Sequence, residues 1–349
     1  MKLTSFMIHR QNKNTFRRRV EVLLCVTIFY VYCLKNTACY RDNTVIDMVY
    51  LWVNGSDPQW RSKQQYYASL ESRASEGASG DERFVEHDEL RHSLRSVFQY
   101  ANWVNTIFIV TDNQIPSWLN QSQERIRIIQ HSQIMPPDAL PTYNSYAIEA
   151  NIHKIPNLSE LFLFSNDDFY FFRKVTRAFF FTANGHPKIR SSNIHFNRNL
   201  LRKSQYCRNI HYTSFVFRSY FGTKYDFEPV HSILPYRLAD YRDCASIFQP
   251  DFNRTTYSRF RGEQNIHRSV VSYYSIHHHT GKYLHYRWWR RGVLYLEIDA
   301  PGKMKREIAK RKPIIGCIND SETSTEENRQ LLKSFLSTLY SIPAEWELR

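Results

Sequence analysis

The sequence predicts an α/β fold built on a Rossmann-like, mostly parallel sheet with flanking helices, preceded by an N-terminal signal-anchor helix. Three observations carry this. Val45–Val53, Trp103–Thr111 and Leu161–Phe164 are nearly continuous apolar runs, the pattern of strands buried on both faces. Segments with helical spacing separate them, as parallel strands require. The first run ends in a glycine-containing turn and the last in two adjacent acids, Asp167 and Asp168. Ligands of such sheets bind beyond the carboxyl ends of the strands.

Taken in order, Val45–Val53 leads into Asn54-Gly55-Ser56-Asp57-Pro58, a dense turn signal. Residues 61–82 read as a helix and a mobile loop, with a Ser/Gly/Ala-rich patch at Ala74–Gly80. Asp88–Tyr100 reads as a helix, because Leu90, Leu94, Val97 and Phe98 recur at helical spacing and Asp88 is placed to cap it. Ile126–Gln130 is a short strand. Ser145–Ile155 reads as a helix with Ile148, Ile152 and Ile155 on one face. Glu149 and His153 stand at i and i+4, as an ion pair or as part of a site. In the second half Tyr212–Arg218, Trp288–Trp289 and Val293–Ile298 read as strands, and Phe260–Tyr274 and Glu326–Tyr340 as helices.

Of 349 residues 42% are hydrophobic, enough for a sizeable core and against a disordered chain. The formal net charge of +14 fits nucleic acid, an anionic membrane, or phosphate-bearing small molecules and acidic glycans. No zinc-finger spacing or RNP-type motif supports nucleic acid, so no nucleic-acid partner is expected. The basic run Lys303–Lys312 reads as a solvated helix face.

Arg17, Arg18 and Arg19 precede an uncharged run from Val22 to Leu34. That run is short against the ~17–25 residues of a bilayer span and matches a signal-peptide core. A cut after Ala38 would leave Asn36 three positions back, a poor small-residue site, so an uncleaved anchor is favoured. The expected layout is a cytoplasmic tail over 1–19, an anchor over 20–38, a stem over 39–44 and a lumenal or extracellular domain over 45–349. Membrane contact is expected through this anchor. A lumenal setting permits disulfides, and Cys207–Cys244 is the first expectation, although spacing does not fix connectivity. Glycosylation sequons stand at Asn54, Asn120, Asn157, Asn253 and Asn319.

Asp167 and Asp168 suit a hard divalent cation, which takes oxygen ligands and carries substrate phosphates; the alternative is a turn or helix cap. His277-His278-His279 suggests metal at first sight, but neighbours on a strand point to opposite faces and cannot easily converge. Trp288 and Trp289 are read as core before carbohydrate stacking.

Several segments together resemble the Stealth family, which includes bacterial capsular polysaccharide phosphotransferases and the catalytic subunit of the Golgi N-acetylglucosamine-1-phosphotransferase. They are Ile46–Pro58, Asp88–Arg95, Asn102–Leu119, Leu140–Asp168, Tyr212–Tyr274 and Cys317–Asp320, in family order. The resemblance implies a Stealth-type catalytic domain over 45–349. It implies transfer of a sugar 1-phosphate, commonly N-acetylglucosamine 1-phosphate, from a UDP-sugar donor to a hydroxyl of a glycan or glycoprotein acceptor. The product is a phosphodiester and UMP leaves. It also suggests a Golgi or other secretory-pathway membrane, single-pass type II, and leaves an oligomer open.

In that light Asp167 and Asp168 become ligands of Mg2+ or Mn2+, with Asp168 catalytic. His231, in Glu228-Pro229-Val230-His231, is the expected general base. Arg261, in Ser258-Arg259-Phe260-Arg261, would stabilise charge on the transferring phosphate. Asn54, Gly55 and Asp57 form the expected nucleotide loop. Arg91 and Arg95 face phosphate or bridge to acids. Glu149 joins the substrate-binding candidates. Asn319 and Asp320 would bind sugar or support the metal, or form a plain turn. The rival activities are a metal-dependent glycosyltransferase releasing UDP and a silent carbohydrate-binding protein.

Overall fold

The computed structural model describes residues 44–71, 88–195, 205–285, 292–298, 301–320 and 324–348. The proposed anchor, the Ala74–Gly80 patch, Cys39 and Trp288–Trp289 lie outside these residues. Strands in chain order are β1 (Ile46–Leu51), β2 (Ile107–Thr111), β3 (Ile126–Gln130), β4 (Leu161–Asn166), β5 (Phe169–Phe171), β6 (Lys188–His195), β7 (Phe227–Pro229), β8 (Leu234–Arg237), β9 (Lys282–Leu284), β10 (Val293–Glu297) and β11 (Ile315–Asn319). Helices longer than two turns are α1 (Pro58–Leu70), α2 (Glu89–Tyr100), α3 (Gln205–Phe221), α4 (Leu238–Ile247), α5 (Gln249–Thr256), α6 (Ser269–His277), α7 (Pro301–Arg311) and α8 (Glu326–Leu339).

The central sheet has the order β3-β2-β1-β4-β8, with β8 antiparallel and the rest parallel. Every residue of β1 and β2 is buried, which is why both read as nearly unbroken apolar runs. One polar exception proves stable because it is fully satisfied. Asp47 in β1 accepts from Asn105 Nδ2 (2.9 Å), Thr106 N (3.0 Å) and Ser159 N (2.8 Å), tying β1 to the segments entering β2 and β4. The chain steps outward from β1 to β2 and β3, then returns to the other side of β1 for β4. The point of reversal therefore lies between the ends of β1 and β4, where Leu51 is in register with Asn166.

Two smaller sheets extend this frame, β10-β11-β5 and β7-β6-β9. The first packs on α7 and α8, Tyr170, Leu294 and Ile318 of the sheet meeting Met304, Leu332 and Leu336 of the helices. Its strands approach closely at Gly316, where a Cβ would fall 2.6 Å from the Leu294 carbonyl oxygen.

Several expectations need correction. Tyr212–Arg218 is not a strand but the middle of α3, where Ile210, Thr213 and Phe217 bury one face. The helix expected over Ser145–Ile155 stops at Glu149 and resumes as a single 3-10 turn, Ile152–Lys154. The helix expected from Phe260 begins only at Ser269. Cys207 and Cys244 are both buried and are not joined to each other, so the expected disulfide is not formed. The histidine run closes α6 rather than a strand, and His277 and His278 pack on Phe221. Among the described residues no helix is long and apolar enough to cross a membrane.

Candidate active site

The loop after β1 is built by its own polar residues. Asp57 caps α1, its Oδ1 accepting from Gln59 N at 2.9 Å. Gln114, from the loop after β2, clamps the turn: its Oε1 accepts from Asn54 N (2.7 Å), and its Nε2 donates to Asn54 O (3.0 Å) and Asp57 Oδ2 (3.2 Å). The Gln114 amide and the cap hydrogen bonds hold the Asp57 carboxyl below its usual value. The side chains of Asn54 and Asp57 are thus spent on shaping the loop, with Asn54 Oδ1 accepting from Ser56 N at 2.9 Å. What the loop offers a ligand is its backbone, including Gly55.

The acids follow β4 directly. After Asp168 the chain turns so that β5 pairs antiparallel with β11, placing Phe169 opposite Cys317. This brings the Cys317 thiol to Asp168, donating to Oδ2 at 3.0 Å, while Ile318 N donates to the Asp168 carbonyl at 3.1 Å. The other carboxyl oxygen, Oδ1, is buried without a hydrogen-bond partner. Burial raises Asp167 to about 6, and burial followed by the Asp167 charge raises Asp168 to about 7.

His231 arrives from the turn between β7 and β8. A ring nitrogen of His231, a carboxyl oxygen of Asp168 and Cys317 Sγ all lie within 4.8 Å of one another. The His231 ring stands edge-on to Phe169 (5.1 Å), Tyr206 (5.4 Å) and Tyr295 (5.7 Å). Its Nδ1 is 3.4 Å from Tyr206 Oη. Burial, Arg268 and Arg261 push His231 down to about 3, so its imidazole is neutral at working pH. Burial pushes Glu228 up to about 7, with Ser192 Oγ donating to it at 3.1 Å.

Arg261 reaches the same neighbourhood. Its Nη2 donates to Ser145 Oγ at 2.8 Å, and its guanidinium lies 4.9 Å from the Tyr146 ring centre. Arg268 lies 4.4 Å over the Phe164 ring of β4 and pairs with Glu149 at 2.8 Å. Burial opposes the Arg268 charge, but Glu149 together with Tyr236 and Tyr206 outweighs it and holds the group above the ordinary arginine value.

The remaining candidates do other work. Arg91 and Arg95 face an acid, not the aspartates: both bind Glu347, at 2.7 and 2.6 Å. Glu149, a substrate-binding expectation, forms a buried ion pair with Arg268. Asp320 pairs with Arg329 of α8 at 2.8 Å, which fastens the end of β11 to that helix. The Asn319 amide donates to the Asp320 carbonyl. Sequence reasoning missed Cys317, Gln114, Tyr206 and Arg268. Cys317 had a legible clue: it stands two residues before Asn319 and so shares its face of a strand.

The donor set fits a divalent cation. Asp168 Oδ1 is an orphaned buried acceptor, and burial makes both adjacent carboxyls resist ionisation, a cost that a bound cation would relieve.

The first Stealth conserved region matches residues 44–69 and the second matches 83–189. A capsular polysaccharide phosphotransferase of Haemophilus influenzae is 32% identical over 83% of this chain and 81% of its own length. The chain belongs to the Stealth family. An exopolysaccharide phosphotransferase of Lactiplantibacillus plantarum is 31% identical over 85% of this chain and 93% of its own. A capsular polysaccharide phosphotransferase of Actinobacillus pleuropneumoniae is 39% identical, but the match covers only 59% of this Stealth chain and 57% of the relative. Among solved structures, a galactosyltransferase in complex with donor and acceptor sugar analogues covers 86% of the chain at 10% identity and a TM-score of 0.43. The expected Golgi type II placement is corrected: curated relatives that this chain matches are bacterial.

Proposed function

We propose that this Stealth protein transfers a sugar 1-phosphate, with N-acetylglucosamine 1-phosphate as the first candidate, from a UDP-sugar to a hydroxyl of a glycan acceptor. The relatives' names support a phosphotransferase acting in capsular or exopolysaccharide synthesis. The single observation that carries the reading is the convergence of Asp168 and His231, 63 positions apart in the chain, within 4.8 Å. A base and a carboxylate are held together at the reversal point of a parallel sheet, where phosphates are bound.

The acceptor oxygen attacks the β-phosphorus of the donor, and the bond from that phosphorus to the bridging oxygen breaks. UMP leaves with that oxygen. His231 takes the acceptor proton. Its low proton affinity reflects burial and the field of Arg268 and Arg261. Entry of two phosphates beside Arg261 offsets that field and strengthens the base when it is needed. Arg261 grips the equatorial oxygens of the transferring group. Asp167 and Asp168 would hold Mg2+ or Mn2+, which when bound neutralises the diphosphate. The Asn54–Asp57 loop presents backbone to the nucleotide.

Turnover with UDP-N-acetylglucosamine, a capsular oligosaccharide and magnesium tests this. Wild type should release UMP, and His231→Gln should lose about 10²–10⁴-fold in kcat while its far-ultraviolet circular dichroism is retained. Undiminished turnover by that variant removes His231 from its role.

A further inference from the structure

We propose that Asp168, His231 and Cys317 form a zinc-binding site that overlaps the phosphotransfer centre and excludes its working form. The three donors come from three separate elements: the turn after β4, the turn before β8, and β11. They are an oxygen, a nitrogen and a sulfur, all within 4.8 Å of one another. Magnesium avoids thiolate and imidazole, whereas zinc takes both with carboxylate. Zinc–sulfur bonds of about 2.3 Å and zinc–nitrogen or zinc–oxygen bonds of about 2.0–2.2 Å put the donors of one tetrahedral centre roughly 3.5 Å apart. Cys317 Sγ and Asp168 Oδ2 are already inside that separation at 3.0 Å. The third donor lies within 4.8 Å, so it has at most about an ångström to close, a change within reach of a side-chain rotation in His231.

A second observation points to a ligand here. Asp168 Oδ1 is a buried acceptor with no partner. Rotation of the carboxyl toward an ion satisfies it. Binding exchanges the Cys317 thiol proton for the metal, so a proton is released for each ion taken up. Three protein ligands leave one tetrahedral position for water.

The consequence rests on the transfer reading above. Zinc at this place occupies the ring nitrogen that would take the acceptor proton and the carboxylate that would serve magnesium. The zinc-loaded protein is then silent, and magnesium alone cannot restore it until zinc is chelated.

The test is spectroscopic and uses cobalt(II) as the probe, titrated into the full chain without donor or acceptor. Wild type should develop a sulfur-to-cobalt charge-transfer band in the near ultraviolet, bleached by an equivalent of zinc. Cys317→Ser should lose the band, and the double variant Cys207→Ser/Cys244→Ser should keep it. A wild type without the band, or a band that survives Cys317→Ser, overturns the proposal. X-ray absorption of zinc-loaded wild type needs no variant: one sulfur in the zinc shell supports the site, and a shell without sulfur refutes it. Neither readout requires turnover, so their failure leaves the transfer mechanism standing, and failure of the transfer assay leaves the spectra unaffected.

Discussion

Arg268 and Glu149 form an ion pair at 2.8 Å in which each side chain is only 3% exposed. The pair links the start of α6 to the short helix Ser145–Glu149 and lays a cation across Phe164 at the back of the site. Removing one partner leaves an uncompensated buried charge. Glu149→Leu should therefore lose about 3–5 kcal/mol of stability, while Glu149→Leu/Arg268→Met should lose much less. Urea denaturation of the three proteins measures this. A single variant as stable as wild type contradicts it.

Glu347 holds both arginines that the sequence offered to phosphate. Burial raises its carboxyl, but Arg95, Ala344 N and Arg91 outweigh burial and keep it below the usual range. Glu347→Gln should lower stability by about 2–3 kcal/mol and leave the donor KM unchanged. A raised KM with unchanged melting temperature would instead return Arg91 and Arg95 to the substrate.

Buried histidines make the fold sensitive to acid. His131 and His153 are each pushed down to about 4, first by burial. Asp112 opposes and Lys63 reinforces the shift of His131, while Lys154 and Arg242 reinforce that of His153. Folded values lie below the unfolded value of about 6.5, so the unfolded chain binds more protons in between. Stability from these groups is present above about pH 6.5 and is lost toward pH 4. His131→Gln/His153→Gln should show a shallower fall of stability over that window than wild type. The raised carboxyls of Asp167, Asp168 and Glu228 act in the opposite sense but are common to both proteins. Equal slopes would place the acid sensitivity elsewhere.

Asp168→Asn keeps the shape of the side chain and removes its charge. Chelation by EDTA should stop wild-type transfer, and magnesium or manganese should restore it. The variant should stay at least about 10²-fold below wild type at saturating metal. Full recovery by added metal would leave the role to Asp167 alone.

The first half of the chain was legible because its physics is local. Ile46–Leu51, Ile107–Thr111 and Leu161–Ser165 are buried along their length, so their sequences are largely apolar, with Asp47, Thr111 and Ser165 the polar exceptions. Asp167 and Asp168 could be placed at a strand end for the same reason. The second half was not, because its segments are aromatic and polar in ways that only tertiary contacts resolve. Tyr212, Thr213, Phe215, Val216 and Phe217 have strand-forming side chains, yet they lie on α3, where Phe217 packs on Phe221, Phe248 and Tyr273. Ion-pair partners were equally hidden. Arg91 and Arg95 meet an acid about 250 residues away, a distance that helical spacing cannot reveal. The family resemblance named His231, but its approach to within 4.8 Å of Cys317 arises only from tertiary pairing, β8 on β4 and β11 on β5.

The central claim is that the attacked atom is phosphorus. It is tested most directly with UDP-N-acetylglucosamine labelled at the β-phosphorus, incubated with the full chain, magnesium and a capsular oligosaccharide. The label should appear in the acceptor as a phosphodiester, and the released nucleotide should be unlabelled UMP. Label that stays in UDP, with an unphosphorylated sugar added to the acceptor, would contradict the account.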